Sequence, residues 1–310
     1  GSGATAAHDA RLKVCAIGLT YALATFAAIG TGCAAPAIPV TAATAVTPAA
    51  DVGTSVGPLP TNSQLPSAAT LVERNLAARG GVAAWHKIRS MVWTGRIDSS
   101  RLPVPSVHFT MYQGRPNRSR FEIDAMGSLS VRVFDGTQGF TIRGAGPQGP
   151  GSVEPFSPLE LAFARQAPGI DGPLMDATER GGRISLDGTD VVDGHRTYVV
   201  QVRLAGGEVD HVWLDARTYL ERKLERNAVG PGGRPVAVLM YYHGYKVVDG
   251  LTVPSTIETA SRPGMRPDRI VIERMNFNAP LSPRLFEPPA GVTATAGGAG
   301  AGDHSRGGGA

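Results

Sequence analysis

The stretch Ser90-Met91-Val92-Trp93-Thr94-Gly95-Arg96-Ile97-Asp98 decides the fold. Met91, Trp93 and Ile97 alternate with Val92, Thr94, Arg96 and Asp98, and a period of two is that of a strand with one buried face. The alternation persists downstream as Val107, Phe109 and Met111, as Phe121 and Ile123, and as Leu129, Val131 and Val133. Turn residues part these runs at Gly114-Arg115-Pro116-Asn117, Gly127 and Asp135-Gly136, the chemistry of an antiparallel meander.

Upstream the period is helical. Leu71, Val72, Leu76 and Ala77 recur at helix spacing behind Ser67, a suitable N-cap, and Gly80-Gly81 supplies a stop before a short second helix from Val82 to Ile88. Downstream the alternation halts between Pro158 and Arg180. There Leu159, Leu161, Ala162 and Phe163 indicate a short apolar helix, followed by the loop Pro168-Gly169-Ile170-Asp171-Gly172-Pro173. Strand patterns resume at Ile184–Leu186, Thr197–Leu204, Glu208–Leu214, Leu220–Arg226, Val236–Tyr245, Thr252–Thr259 and Arg269–Asn278. The total is about eleven strands in one antiparallel sheet. An open sheet of that width curls, splits or closes as twist accumulates, and the helical segments are placed to cover its concave side.

The foldable region is one domain, residues 67–291, large enough to bury a core unaided. The 30 Lys and Arg against 26 Asp and Glu give a net charge of +4, with the charges interspersed, so no nucleic-acid partner is expected. Both cysteines, Cys15 and Cys33, precede the domain, which excludes thiol catalysis, thiolate metal sites and disulfides within it.

Arg11 and Lys13 lead into the apolar stretch Val14–Ile29, which ends in Gly30-Thr31-Gly32-Cys33-Ala34-Ala35, the pattern of a secretory signal over residues 1–33. The small residues before Cys33 are similar to a bacterial lipobox, which makes Cys33 a candidate for lipidation; cleavage after Ala35-Pro36-Ala37 is the competing reading. Residues 34–66 are rich in Ala, Pro, Thr and Val and nearly uncharged, and read as a flexible tether; residues 292–310 read as a disordered Gly/Ala tail.

Several stretches resemble the bacterial outer-membrane lipoprotein-sorting (LolA/LolB-like) family. One is Asn75-Leu76-Ala77-Ala78-Arg79-Gly80-Gly81 with Trp85-His86-Lys87-Ile88-Arg89-Ser90. Another is Val192-Asp193-Gly194-His195-Arg196-Thr197-Tyr198 with Val212-Trp213-Leu214-Asp215. A third is Tyr241-Tyr242-His243-Gly244-Tyr245 through Asp249-Gly250-Leu251-Thr252-Val253-Pro254, with Leu285-Phe286-Glu287-Pro288-Pro289 at the end. The resemblance implies a mainly β fold, a half-open β-barrel with a helical lid. It implies a periplasmic carrier, or an acceptor anchored to the outer membrane through Cys33, that shelters acyl chains of a lipoprotein or lipid and exchanges them with donor or acceptor envelope proteins. On that basis Trp93, Ile97, Phe109, Met111, Phe121, Ile123, Val131, Val133, Tyr198, Val200 and Val202 are candidates for the cavity lining, and Leu159, Leu161 and Phe163 for the lid. The same residues could instead fill a dry core in an envelope structural or protein-interaction module.

No catalytic constellation is found. Gly144-Ala145-Gly146-Pro147-Gln148-Gly149 matches GxGxxG, but Pro147 and Pro150 continue a loop where a dinucleotide site needs a helix N-terminus. His211 and Asp215 share a strand face about 13 Å apart, too far for one metal ion. There is no GxSxG, HExxH or SxxK pattern, so an enzyme acting on envelope lipids is the least favoured class, and no cofactor or metal is expected.

Overall fold

The structure, a computed structural model, describes residues 65–102, 104–125, 127–144, 151–230, 234–260 and 266–288. Cys33, the leader, the tether, the Gly/Ala tail and most of the GxGxxG loop lie outside the described residues.

Ser67 caps helix α1 (Ala68–Ala78), its side chain accepting the Thr70 amide at 3.1 Å. At the other end the Gly81 amide donates to the Leu76 carbonyl at 2.8 Å and the Gly80 amide to that of Ala77 at 3.0 Å, a Schellman-type closure. Gly80 is needed there, because its φ is +109° and a Cβ would stand 2.6 Å from the Gly250 carbonyl oxygen. Helix α2 (Val82–His86) follows at once.

Fifteen strands form among the described residues, against the eleven or so expected. The first run is β1 (Ser90–Asp98), β2 (Ser106–Gly114), β3 (Arg118–Ala125), β4 (Ser128–Phe134), β5 (Gly139–Arg143) and β6 (Ser152–Pro155). Helix α3 (Pro158–Gln166) then opens on a capping box between Ser157 and Glu160. The second run is β7 (Arg183–Val192), β8 (His195–Arg203), β9 (Val209–Asp215), β10 (Glu221–Val229), β11 (Pro235–His243), β12 (Lys246–Val248), β13 (Leu251–Val253), β14 (Thr256–Ala260) and β15 (Asp268–Phe277).

Thirteen strands make one antiparallel sheet in the order β6-β5-β4-β3-β2-β1-β15-β14-β11-β10-β9-β8-β7. It is two meanders joined where β1 pairs with β15, and it is not closed into a barrel, since β6 and β7 end it unpaired with each other. The expected strand Thr252–Thr259 is two strands. Pro254 cannot donate to a ladder, so the chain breaks there. β13 pairs with β12 in a separate hairpin, which hangs from α1 through the Thr252 amide and the Arg79 carbonyl at 3.0 Å.

The sheet curls, as its width requires. Phe163 of α3 packs in one cluster with Phe134 of β4 and Val229 of β10. In a flat sheet those strands would lie about 33 Å apart, which a helix about 10–12 Å thick could not bridge. The concave side is the main core: Ile97, Phe109, Phe121, Val200, Val202, Leu214 and Ile270 are all under 9 % exposed, and the Phe109 and Phe121 rings stack with centroids 5.7 Å apart. The convex side has smaller clusters of its own. One joins Val192, Val199 and Trp213; another joins Val131, Val133 and Phe286 of the C-terminal turn Pro283–Phe286.

Candidate functional site

Between the concave face and the segment Ala167–Pro173 lies a cavity of about 190 Å³. The period-two rule places its floor. On β1, Met91 and Trp93 stand over the concave side; register sets Trp93 beside Met111 of β2 and Met275 of β15. Ile272 and Ile257 continue the floor to Met240 and Leu224. Four methionines in one lining supply flexible, polarisable surface that adapts to the shape of what it touches.

The sequence-derived candidates divide into three groups. Trp93 and Met111 line the cavity. Ile97, Phe109, Phe121, Ile123, Val200 and Val202 are buried in the same concave core away from it, with Tyr198 half-buried against them and stacked on Tyr219 at 6.4 Å. Val131 and Val133 are on the opposite face. Phe121 pairs with Arg132 and Glu122 with Val131, so the concave positions of β4 are Ser130, Arg132 and Phe134. The apolar pair instead lies under Phe286, and Leu129 on the same strand is 43 % exposed. Leu159, Leu161 and Phe163 belong to the separate α3 cluster with Phe134 and Phe156. The cover of the cavity is the segment that follows α3, with Ile170 buried at 6 % exposure.

That cover is fastened by two arginines that the sequence did not single out. Arg115 donates from Nη1 and Nη2 to the two carboxylate oxygens of Asp171, at 2.8 and 2.5 Å, and from Nε to the Ile88 carbonyl at 2.8 Å. The hydrogen bonds it donates to Asp171 hold this guanidinium above its ordinary pKa. Arg79 donates from Nη1 to the Asp171 carbonyl at 2.8 Å, and its guanidinium lies 4.5 Å over the Trp85 ring. Replacing Arg115 by Ala removes the bidentate pair and strands a carboxylate that is 14 % exposed. Because the pair is partly solvated, the expected loss is about 2 kcal/mol, less than for a fully buried pair. Amide exchange at residues 169–174 should speed up at least about tenfold, and an unchanged exchange rate there would show that Arg115 does not fasten the cover.

The wall on the β10 and β11 side is polar. Arg226 donates from Nη2 to Asp210 at 2.7 Å, and Arg79 Nε stands 3.9 Å from Glu221. Burial pushes the Asp210 carboxyl above its ordinary pKa against the pull of Arg226. The Tyr245 hydroxyl donates to the Glu221 carbonyl at 2.8 Å. Burial, then the nearby Glu221 charge, raise the phenols of Tyr242 and Tyr245, so both stay neutral.

The chain is similar to several solved structures. A DUF1329 family protein from Desulfovibrio piger is similar at 14% identity and a TM-score of 0.46, over 71% of this chain and 97% of that one. A LolA superfamily protein from Nitrosomonas europaea is similar at 12% identity and a TM-score of 0.45, over 72% and 99%. A domain described as outer membrane lipoprotein-sorting from Vibrio parahaemolyticus is similar at 12% identity and 0.44, over 69% and 93%. No protein-family model matches the chain, and no curated protein matches it by sequence.

Among the described residues no three or more His, Cys, Asp or Glu side chains are placed to hold a metal ion. No helix among them is long and apolar enough to cross a membrane.

Proposed function

We propose that the chain is a carrier or acceptor for acyl chains of a lipid or lipoprotein, working in the bacterial periplasm. Residues 1–33 would direct export, Cys33 would carry the lipid anchor and residues 34–66 the tether. Donor and acceptor envelope proteins would load and unload the domain. The observation that carries this is the methionine-lined cavity under a hydrogen-bonded cover. Each methylene moved from water into such a lining contributes about 0.8 kcal/mol, so an apolar space suffices for carriage and no catalytic group is needed.

The volume of about 190 Å³ is below the ~300–1,000 Å³ of most ligand pockets. Taking up a full acyl chain therefore requires Ala167–Pro173 to lift. A structural or protein-binding module is the second reading, favoured by the tight concave packing of Phe109 on Phe121. Uptake of a neutral lipophilic fluorophore, N-phenyl-1-naphthylamine, separates the two. A carrier takes up one molecule per chain and releases it when a fatty-acyl competitor is added; a filled module takes up none.

A further inference from the structure

Basic side chains gather at the end of the sheet where β1 begins and β2 turns into β3: Lys87, Arg89, Arg118, Arg165 and Arg284. Short contacts tie their positions together. The Arg115 amide donates to the Arg89 carbonyl at 3.0 Å, Arg118 donates from Nη2 to the Arg115 carbonyl at 3.2 Å, and Asn117 donates from Nδ2 to the Arg165 carbonyl at 3.3 Å. The Arg118 guanidinium lies 5.1 Å from the centre of the Phe286 ring, in the same turn as Arg284. Lys87, Arg89, Arg165 and Arg284 are exposed, and Arg118 is half-buried. Among the described residues none of these cations forms an ion pair, because the acids around them are engaged elsewhere. Asp171 is held by Arg115, Asp176 by His86 at 2.7 Å and Glu122 by Arg120 at 2.6 Å. Asp135 accepts from the Thr137 and Gln138 amides of its own turn, and together with Glu287 it offsets only part of the surplus.

The same end holds a rim of the cavity, since Gln113, Asn117, Arg118 and the cover residues Ala167, Pro168 and Gly169 belong to its lining. Unopposed charges of one sign set up a potential that draws a surface of the other sign. We propose that this end of the domain docks on an anionic bilayer, with Lys87, Arg89, Arg165 and Arg284 against lipid phosphates and the cavity rim turned toward the membrane. A bilayer is the anionic surface that presents acyl chains to an apolar cavity, so the choice of a bilayer over an acidic protein rests on the acyl-carrier reading. Each cation close to an anionic leaflet strengthens binding about fivefold, which makes the docking reversible and sensitive to salt.

The test is co-sedimentation of the exported chain carrying Cys33→Ala, in which no lipid anchor can form, with vesicles of phosphatidylcholine alone or with about 30 mol % phosphatidylglycerol. The phosphatidylglycerol vesicles should bind at least about tenfold more tightly in about 0.1 M salt, and that binding should fall at least about tenfold in about 0.5 M salt. Lys87→Glu combined with Arg89→Glu should weaken it at least about twentyfold, and Arg284→Glu alone about fivefold or more. Arg183→Glu combined with Arg203→Glu makes the same charge change on residues that pair at the opposite end of the sheet, and should cost about threefold or less. Binding that ignores phosphatidylglycerol, or a loss as large in the Arg183 and Arg203 pair as in the Lys87 and Arg89 pair, overturns bilayer docking in favour of an acidic protein partner or none. Uptake of N-phenyl-1-naphthylamine, measured without vesicles, tests acyl carriage separately, so a failure of either idea is distinguishable from a failure of the other.

Discussion

Gly95→Ala is expected to destabilise the protein by about 3 kcal/mol, more than any other single-methyl addition in the sheet, because it strikes the seam between the two meanders. Glu273 is an extra residue on β15 opposite Thr94 and Gly95, and this bulge carries the β15 backbone beneath Gly95. A Cβ there would lie 1.9 Å from the Val271 carbonyl oxygen and 3.0 Å from its carbon. Those are backbone atoms held in ladder bonds, so relief requires moving a strand rather than turning a side chain. Urea midpoints of Gly95→Ala and of Thr94→Ala, one residue away with no such contact, give the comparison. A midpoint for Gly95→Ala within error of the control would show that the seam tolerates displacement and that the bulge does not fix the join.

Met240→Trp should abolish ligand uptake while the sheet persists. Met240 sits at 3 % exposure on β11, between Leu224 of β10 and Thr259 of β14, with its side chain in the cavity lining. An indole in its place occupies much of about 190 Å³. Overpacking of this kind costs about 1–3 kcal/mol, which a domain of this size should survive. Affinity for N-phenyl-1-naphthylamine should fall at least about thirtyfold, roughly the loss of most of its buried apolar area. The smaller Leu224→Phe, from the same floor, should weaken binding in the same direction with less strain. Full uptake by both variants, with intact melting transitions, would place the ligand elsewhere.

The strands around Trp93 were legible because one face is buried and the other is wet, so period two is written plainly in Met91, Trp93 and Ile97. The same rule misplaced Val131 and Val133. β4 has apolar residues on its convex face because the C-terminal turn, with Phe286, folds back over them from some 150 residues away, and no local pattern records that. Its concave positions are Ser130, Arg132 and Phe134; Arg132 belongs there because it meets Glu160 of the α3 capping box at 2.8 Å and lies 4.1 Å over the Phe156 ring.

The hairpin β12–β13 did leave a local signal. Asp249 and Gly250 both have positive φ, as a tight hairpin turn needs, and Pro254 forbids one continuous strand through 252–259. The cover was readable only as a Pro/Gly loop. Its closure depends on Arg115 meeting Asp171 across 56 residues of chain, and on Arg79, whose position before a double glycine marks only a helix end. The polar wall of Glu221, Arg226, Tyr242 and Tyr245 was equally out of reach, since these residues converge only once β10 and β11 are paired.

The most direct measurement is native mass spectrometry of the exported chain purified from a bacterial periplasm, followed by organic extraction and identification of what is released. The predicted result is one acyl-chain ligand per protein on wild type and none on Met240→Trp. Wild-type protein that repeatedly carries no lipid, and gains none when incubated with 1-dodecanol or a fatty-acyl probe, would contradict acyl carriage and leave the curled sheet as a filled envelope module.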